Sequence, residues 1–237
     1  MNILITAGNT NAMIDKVRCI TNIFTGRTGA GIALEAHRRG HAVTLLTSHP
    51  EALGQSLPTG PNWSVSSYKT FEQLHDFMND LIPSGDFDAI VHCAAVSDYL
   101  SAGIYGLGEG NRFDPETATW AGETMTDRAA GKVKSDEPEL WLRLVRAPKL
   151  VDRIRSDWKF RGVLVKFKLE VGLTDEQLLA VAERSRVHSD ADFMVANTLS
   201  GAAYYAYIGA AEGHYQRVPR AKLAAKLLDA IESRGTR

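Results

Sequence analysis

Apolar and polar positions along the chain follow two alternating rhythms. A short apolar run, "NILITAG", ends on glycine in the manner of a strand buried on both faces. "TGAGIALEAHRRG" then sets Ile32, Ala33, Leu34 and Ala36 where a helix would cover a core, with Gly40 as its stop. "HAVTLLTS" predicts the next strand. "TFEQLHDFMNDLI" opens with Thr70 and Gln73 in a capping box and carries Leu74, Phe77, Met78 and Leu81 at helical spacing. "DAIVHCAAV" predicts another buried strand. Strand, helix, strand, helix, strand implies an α/β fold, a Rossmann-like, doubly wound, mostly parallel sheet with helices on both faces and right-handed crossovers.

From Leu100 to Lys132 the rhythm is lost. The segment holds several glycines ("SAGIYGLGEGNRF") and no sustained apolar period. A stretch of that length without regular structure is functional or disordered. Order returns with "ELWLRLVR", where Leu140, Leu142 and Leu144 alternate with Trp141 and Arg143 as in a half-buried strand. A helix ("KLVDRIRSDW"), a strand ("GVLVKFKL"), a second capping-box helix ("TDEQLLAVAERSRV") and a strand ("DFMVAN") follow. The aromatic β-formers of "AYYAYIG" predict a C-terminal antiparallel element, and a terminal helix is expected to begin near Pro219. No repeat and no Pro- or Ser-rich linker intervenes. Residues 1–237 therefore read as one domain with a mobile insertion, or lid, at about 100–134.

Composition narrows the partners. The formal net charge of -1 argues against a nucleic acid or a membrane surface, so any anion site must be local. Cys19 and Cys93 form neither a metal-type spacing nor a disulfide framework, and read as small buried hydrophobes in a reducing cytosol. No apolar run approaches the length of a membrane span, and "MNILITAG" lacks a signal peptide's charged and apolar regions. A cytoplasmic protein is expected.

In open α/β sheets, ligands sit beyond the carboxyl ends of the strands. Three stretches fall there: "TAGNT" (Thr6 to Thr10), "TNIFTGRTGAG", and "HCAAVSDY" (His92 to Tyr99). The glycines of the second precede a helix and let backbone approach an anion. Their spacing fits neither a dinucleotide fingerprint nor a P-loop. The end of the second strand, "VTLLTSHPEAL", offers no acidic residue for a ribose hydroxyl, and no Tyr is followed four residues later by Lys. "GRTGAG" suits phosphate better than a dinucleotide, with Arg27 adding a charge-assisted contact.

Together these stretches carry a resemblance. "ILITAGNTNAMIDKVRCITNIFTGRTG" resembles the start of the phosphopantothenate–cysteine ligase (phosphopantothenoylcysteine synthetase) family of coenzyme A biosynthesis. "AAVSDY" resembles that family's central strand-end motif, "GKVKSDEPELWLRLVRAPKLV" its lysine loop, and "VKFKLE" with "DFMVANTL" its C-terminal half. The match spans nearly the whole chain in the family's order.

The resemblance implies nucleotide-dependent ligation of 4′-phosphopantothenate to L-cysteine. The carboxylate displaces pyrophosphate to give an acyl-nucleotide, and the cysteine amine then displaces the nucleoside monophosphate. CTP or ATP would be the co-substrate, with Mg²⁺, and no protein nucleophile is required. Asn22 falls on the residue handling the activated acyl group and Lys132 on the mobile-loop lysine that closes over the phosphates. Asp98 is placed to meet base or ribose, Phe167 to pack beside the base, and Ala94, Ala95 and Pro148 to line the nucleotide pocket with Asn197. Gly8, Thr10, Thr25, Gly26, Arg27 and Lys134 complete the nucleotide- and phosphate-binding set. No side chain is assigned to a metal.

Departures from the pattern are specific. Asn9 stands where the family has Gly, Ile23 and Phe24 replace small polar residues, and Arg27 replaces Lys. "AERSRVHSD" carries no lysine where fused bacterial members grip the nucleotide, which leaves CTP and ATP both open. The chain starts at the ligase's first strand, so a single-function form is expected, without a decarboxylase domain and without flavin. The family implies a homodimer, for which "AYYAYIG" would be an exposed edge. Two alternatives stay open: an NAD(P)-dependent Rossmann-fold reductase, and a catalytically altered nucleotide-binding relative acting on another carboxylate.

Overall fold

In the computed structural model, which describes residues 1–55, 58–122, 124–210 and 213–235, the apolar runs become strands of one eight-stranded sheet. They are β1 (Asn2–Ala7), β2 (Ala42–Thr47), β3 (Trp63–Ser67), β4 (Ala89–His92), β5 (Val163–Glu170), β6 (Phe193–Thr198), β7 (Tyr205–Gly209) and β8 (Tyr215–Pro219). Their spatial order is β8-β7-β6-β5-β4-β1-β2-β3. β3 through β6 are parallel, while β7 pairs antiparallel with both β6 and β8. The parallel part is the doubly wound order, in which connections diverge on either side of β1 and β4 and leave a crevice beyond their carboxyl ends.

Helices α1 (Arg27–Arg38), α2 (Phe71–Ser84), α3 (Leu150–Ser156), α4 (Asp175–His188) and α5 (Leu223–Gly235) cover both faces. Alternate strand residues point to opposite sides. Ile3, Ile5, Val91 and Val165 meet Ala30, Ala33 and Ala36 of α1 and Leu227 and Ile231 of α5. On the other face Leu178 and Ala182 of α4 pack on Met194 and Ala196. Trp158, two residues past the end of α3, donates from Nε1 to Asn79 Oδ1 of α2 at 3.1 Å. Both capping boxes form: Thr70 accepts from Gln73 N and Thr174 from Gln177 N, and each glutamine reaches back. Gly40 closes α1 with φ 86° and its N–H on His37 O.

The described residues divide into two units. The sheet unit takes Met1–Thr10, Ile23–Val96 and the chain from Lys149 onward; the smaller takes Asn11–Asn22 and Ser97–Pro148. Within the smaller unit, Tyr99–Leu107 is the central strand of a three-stranded antiparallel sheet, between Met125–Asp127 and Leu140–Arg146. Two short hairpins accompany it, Asn11–Met13 with Cys19–Thr21 and Arg112–Asp114 with Thr119–Ala121. Phe113, Trp120 and Trp141 pack together with ring centroids 4.5 to 5.1 Å apart.

Several sequence expectations need correction. The segment after Leu100 is largely stranded; its glycines mask an alternation in which Ile104 turns inward. Leu144 is exposed, because the pairing of Leu140–Arg146 shifts register between Leu142 and Leu144, opposite Gly103 with φ 147°. β3 and β8 carry no clear strand signal, and both form at the sheet edges. β8 makes the aromatic β7 an interior strand, so "AYYAYIG" is no edge. Pro219 ends β8, and α5 starts only at Leu223 after a 3₁₀ turn (Arg220–Lys222). Cys19 is exposed and Cys93 half-buried, so neither is a fully buried hydrophobe. No helix among the described residues is long and apolar enough to cross a membrane.

Candidate functional site

At the carboxyl ends of the central strands, the sheet unit holds a cavity of about 350 Å³. Its wall is drawn from the loop after β1 (Gly8), the entry to α1 (Phe24 to Thr28), the loop after β4 (Cys93 to Ala95), the end of β5 (Phe167 to Leu169), Asn197, Ala202 and Arg220. Backbone closeness builds the near wall. Gly26 caps α1 in the left-handed region, φ 72°. A Cβ there would lie 2.7 Å from the Gly8 nitrogen, and one on Gly29 would lie 2.6 Å from Ala7 Cβ. The Ala95 N–H donates to Gly8 O at 2.8 Å, tying the loops after β1 and β4. Ser48 accepts from Asn9 N at 2.8 Å and donates to Asn9 Oδ1 at 2.9 Å. The residue that departs from the family's Gly is thus held in place.

The electrostatics of this wall have one sign. Arg27, Lys168 and Arg220 are its charged residues, and among the described residues no carboxylate lines it. α1 has no acidic residue in its first turn and no side-chain cap, so its first amides keep their positive end for a ligand. Lys168 pairs with Glu170 at 2.9 Å. Burial pushes the Cys93 thiol up to about 12, so it stays protonated at the cavity floor.

Beneath this floor lies a polar network. Thr6 Oγ1 accepts from Ala94 N at 3.2 Å and lies 3.0 Å from His92 Nδ1. Burial, with nearby Lys166, lowers His92 to about 4, so its ring is neutral. Lys166 Nζ donates to Ser189 Oγ at 2.5 Å and Ser185 O at 3.0 Å, and Ser189 donates to Asp152 at 2.5 Å.

The smaller unit holds a second basic cavity, about 610 Å³, lined by Arg18, Lys132, Lys134 and their neighbours. Asp15 organises it. Its carboxylate accepts from Val17 N, Arg18 N and Val133 N at 2.8, 2.7 and 3.1 Å, and from the Arg18 guanidinium at 2.6 Å. The Arg18 bond holds this carboxyl far below the usual range. Arg18 also donates to Val133 O at 2.8 Å, and Lys16 N to Gly131 O at 3.1 Å. The backbone on either side of Lys132 is thereby stitched to the hairpin Asn11–Met13 and Cys19–Thr21.

Of the residues singled out in the sequence, Gly8, Thr25, Gly26, Arg27, Ala94, Ala95, Phe167 and Asn197 line the first cavity. Thr10 belongs to the same unit but is fully buried and outside that lining. Lys132 and Lys134 line the second cavity, and Asn22, Asp98 and Pro148 belong to the smaller unit outside its lining. Sequence reasoning passed over Thr28, Lys168 and Arg220. Lys168 lay inside a quoted motif, whereas Arg220 carries no local signal and arrives through the hairpin of β7 and β8. Asp15 and Arg18 sat in the quoted opening stretch, but only the structure shows what they hold.

Residues 1–105 match the family described as DNA/pantothenate metabolism flavoprotein C-terminal domain. The chain is 30% identical over 236 residues to the coenzyme A biosynthesis bifunctional protein CoaBC of Thermococcus kodakarensis, covering 97% of this chain and 50% of that protein. It is 28% identical over 200 residues to CoaBC of Escherichia coli K12, covering 84% of this chain and 41% of that one. The chain spans about half the length of the curated relatives it matches. Among solved structures, the DNA/pantothenate metabolism flavoprotein from Streptococcus pneumoniae superposes with a TM-score of 0.80 at 27% identity, over 98% of this chain and 99% of that one.

Proposed function

From the match of residues 1–105 to the DNA/pantothenate metabolism flavoprotein C-terminal domain family and the likeness to the relatives above, we propose that the chain belongs to that family and joins 4′-phosphopantothenate to L-cysteine at the expense of a nucleoside triphosphate. The observation that carries this reading is the cavity at the carboxyl ends of β1, β4 and β5, where Arg27, Arg220 and an uncapped helix start converge beside Lys168, itself paired with Glu170, and where among the described residues no carboxylate forms part of the wall. Such a wall suits a polyphosphate and repels nothing in it.

The reaction runs in two displacements. The substrate carboxylate attacks the α-phosphorus, and pyrophosphate leaves with the pair from the broken P–O bond. The cysteine amine then attacks the acyl carbon, and the nucleoside monophosphate leaves as the amine gives up its proton. Backbone amides at Gly26 and beyond, together with Arg27, receive the phosphates. Phe167 and Asn197 line the same cavity and are assigned to the nucleoside. Asn22 holds the acyl carbonyl without adding charge, and Lys132 neutralises charge on the departing pyrophosphate. The lysine-bearing segment at about 100–134 acts as the lid. CTP and ATP both fit this chemistry.

Mg²⁺ finds no protein cage: among the described residues no group of three or more His, Cys, Asp or Glu is arranged to hold a metal. We assign the ion to the nucleotide's own phosphates and route no step through it. A cytoplasmic homodimer completes the reading.

Pyrophosphate release from the purified chain, given 4′-phosphopantothenate and cysteine with CTP and ATP in parallel tubes, tests it. Release in one tube that requires every substrate is expected and fixes the base. Nucleotide binding without release under either nucleotide would overturn the assigned acid substrate.

A further inference from the structure

Arg220 opens the 3₁₀ turn after β8, far in sequence from the loops that build the cavity. Two hydrogen bonds place it. Its N–H donates to Tyr204 O at 2.8 Å, and its guanidinium donates through Nη2 to the hydroxyl of Thr28, in the first turn of α1. It lines the cavity beside Arg27. Among the described residues neither guanidinium has a carboxylate in an ion pair, although Arg18, Arg38, Arg39, Arg153, Arg155 and Arg186 all do. Arg220 is half-buried. A partly desolvated cation left without a counter-charge is costly unless something anionic completes it. Its field also reaches the Cys93 thiol of the same cavity, which it draws downward against the rise from burial.

We infer that Arg220 is a second phosphate-binding arginine of this site, placed by Thr28 to contact the β- or γ-phosphoryl oxygens of a nucleoside triphosphate. The inference rests on the nucleotide reading above and extends it to a residue supplied by the C-terminal hairpin. Arg27, at the helix start, lies one residue before Thr28 and so beside Arg220. Two guanidiniums lining one cavity, neither met by a carboxylate among the described residues, supply more positive charge than a single phosphate contact calls for. Thr28 is the positioning residue: its hydroxyl receives one arm of the fork and leaves the other N–H groups to turn to the ligand.

The test is calorimetric titration of the intact chain with ATP, CTP, AMP and CMP, for the parent and for Arg220→Gln, Arg220→Lys and Thr28→Val. Arg220→Gln should weaken the preferred triphosphate by roughly ten- to hundredfold, the range for hydrogen bonds to charged groups. The matching monophosphate should change by about twofold or less. Arg220→Lys should retain part of the lost affinity because it keeps the charge, and Thr28→Val should lose affinity in the same direction but less. Unchanged triphosphate binding in Arg220→Gln would overturn the inference while leaving the nucleotide reading intact, and so would equal losses for mono- and triphosphate. A parent that binds none of the four nucleotides would overturn the nucleotide reading itself. Should Arg220→Gln fail to fold, Arg220→Lys and Thr28→Val decide, since unaltered triphosphate affinity in both contradicts the assignment.

Discussion

His92 shows how a single residue at the cavity floor ties chemistry to stability. Thr6 Oγ1 accepts from Ala94 N, so its own proton is free to bond Nδ1 of a neutral imidazole. Burial first and Lys166 second hold the ring at about 4, against an ordinary 6.5. The folded protein therefore refuses a proton that the unfolded chain accepts. The contribution of His92 is fully present above about pH 6.5 and is lost as pH falls toward 4. By pH 5 this amounts to about 2 kcal/mol, read as a drop in urea stability between pH 7 and 5. His92→Gln should flatten that drop; an unchanged slope would assign it to other groups. Gly26 is the second such residue. With φ 72° and no room for a Cβ against the Gly8 backbone, Gly26→Ala should cost roughly 1–3 kcal/mol. It should also weaken polyphosphate binding, since the distortion falls on the α1 amides. Denaturant melts and nucleotide titration of the same variant check both halves.

Among the elements, α4 is the one most dependent on its start. Its buried residues are only Leu178 and Ala182, so packing contributes little and the capping box at Thr174 matters correspondingly more. Thr174→Ala should cost about 1 kcal/mol in urea denaturation, a larger share of local stability than Thr70→Ala in α2. α2 buries Phe71, Leu74, Met78 and Ile82 as well. Amide exchange in α4 should accelerate more than in α2 for the matched pair; equal effects would mean that α4 is held by contacts other than its cap.

The two units of the whole molecule differ in how they are held. The sheet unit buries a continuous apolar layer from Ile3 to Ile231. In the smaller unit the buried apolar side chains are Ala12, Ile104, Val133 and Ala147, supplemented by the aromatic trio and the Asp15 hydrogen bonds. A small apolar core leaves local opening inexpensive. Amide exchange should therefore be fastest along Arg112–Asp114, Thr119–Ala121 and Met125–Asp127, and slowest in β1, β4 and β5. Comparable protection in both sets would mean that the smaller unit shares the global unfolding transition.

Sequence alone determined what depends on local pattern. Apart from β3, the parallel strands betray themselves because they are buried over much of their length and their runs are largely apolar. The helices α1, α2 and α4 announce their caps and stops within a few residues, and the loops after β1 and β4 follow directly from those strands. Gly8, Thr25, Gly26, Arg27, Ala94 and Ala95 thus fall at one edge of the sheet by sequence pattern alone, and they line one cavity. Tertiary structure decided whatever depends on pairing between distant segments. β3 and β8 exist because a neighbouring strand offers an unpaired edge, and the stranded course of Tyr99–Leu107 is hidden by glycines that carry no pattern. Arg220 reaches the cavity only through the register of β7 against β8, and Asp15 reaches Val133 across more than a hundred residues. Hydrogen-bonded register and long-range burial are set by the folded sheet, and no local run of residues encodes them.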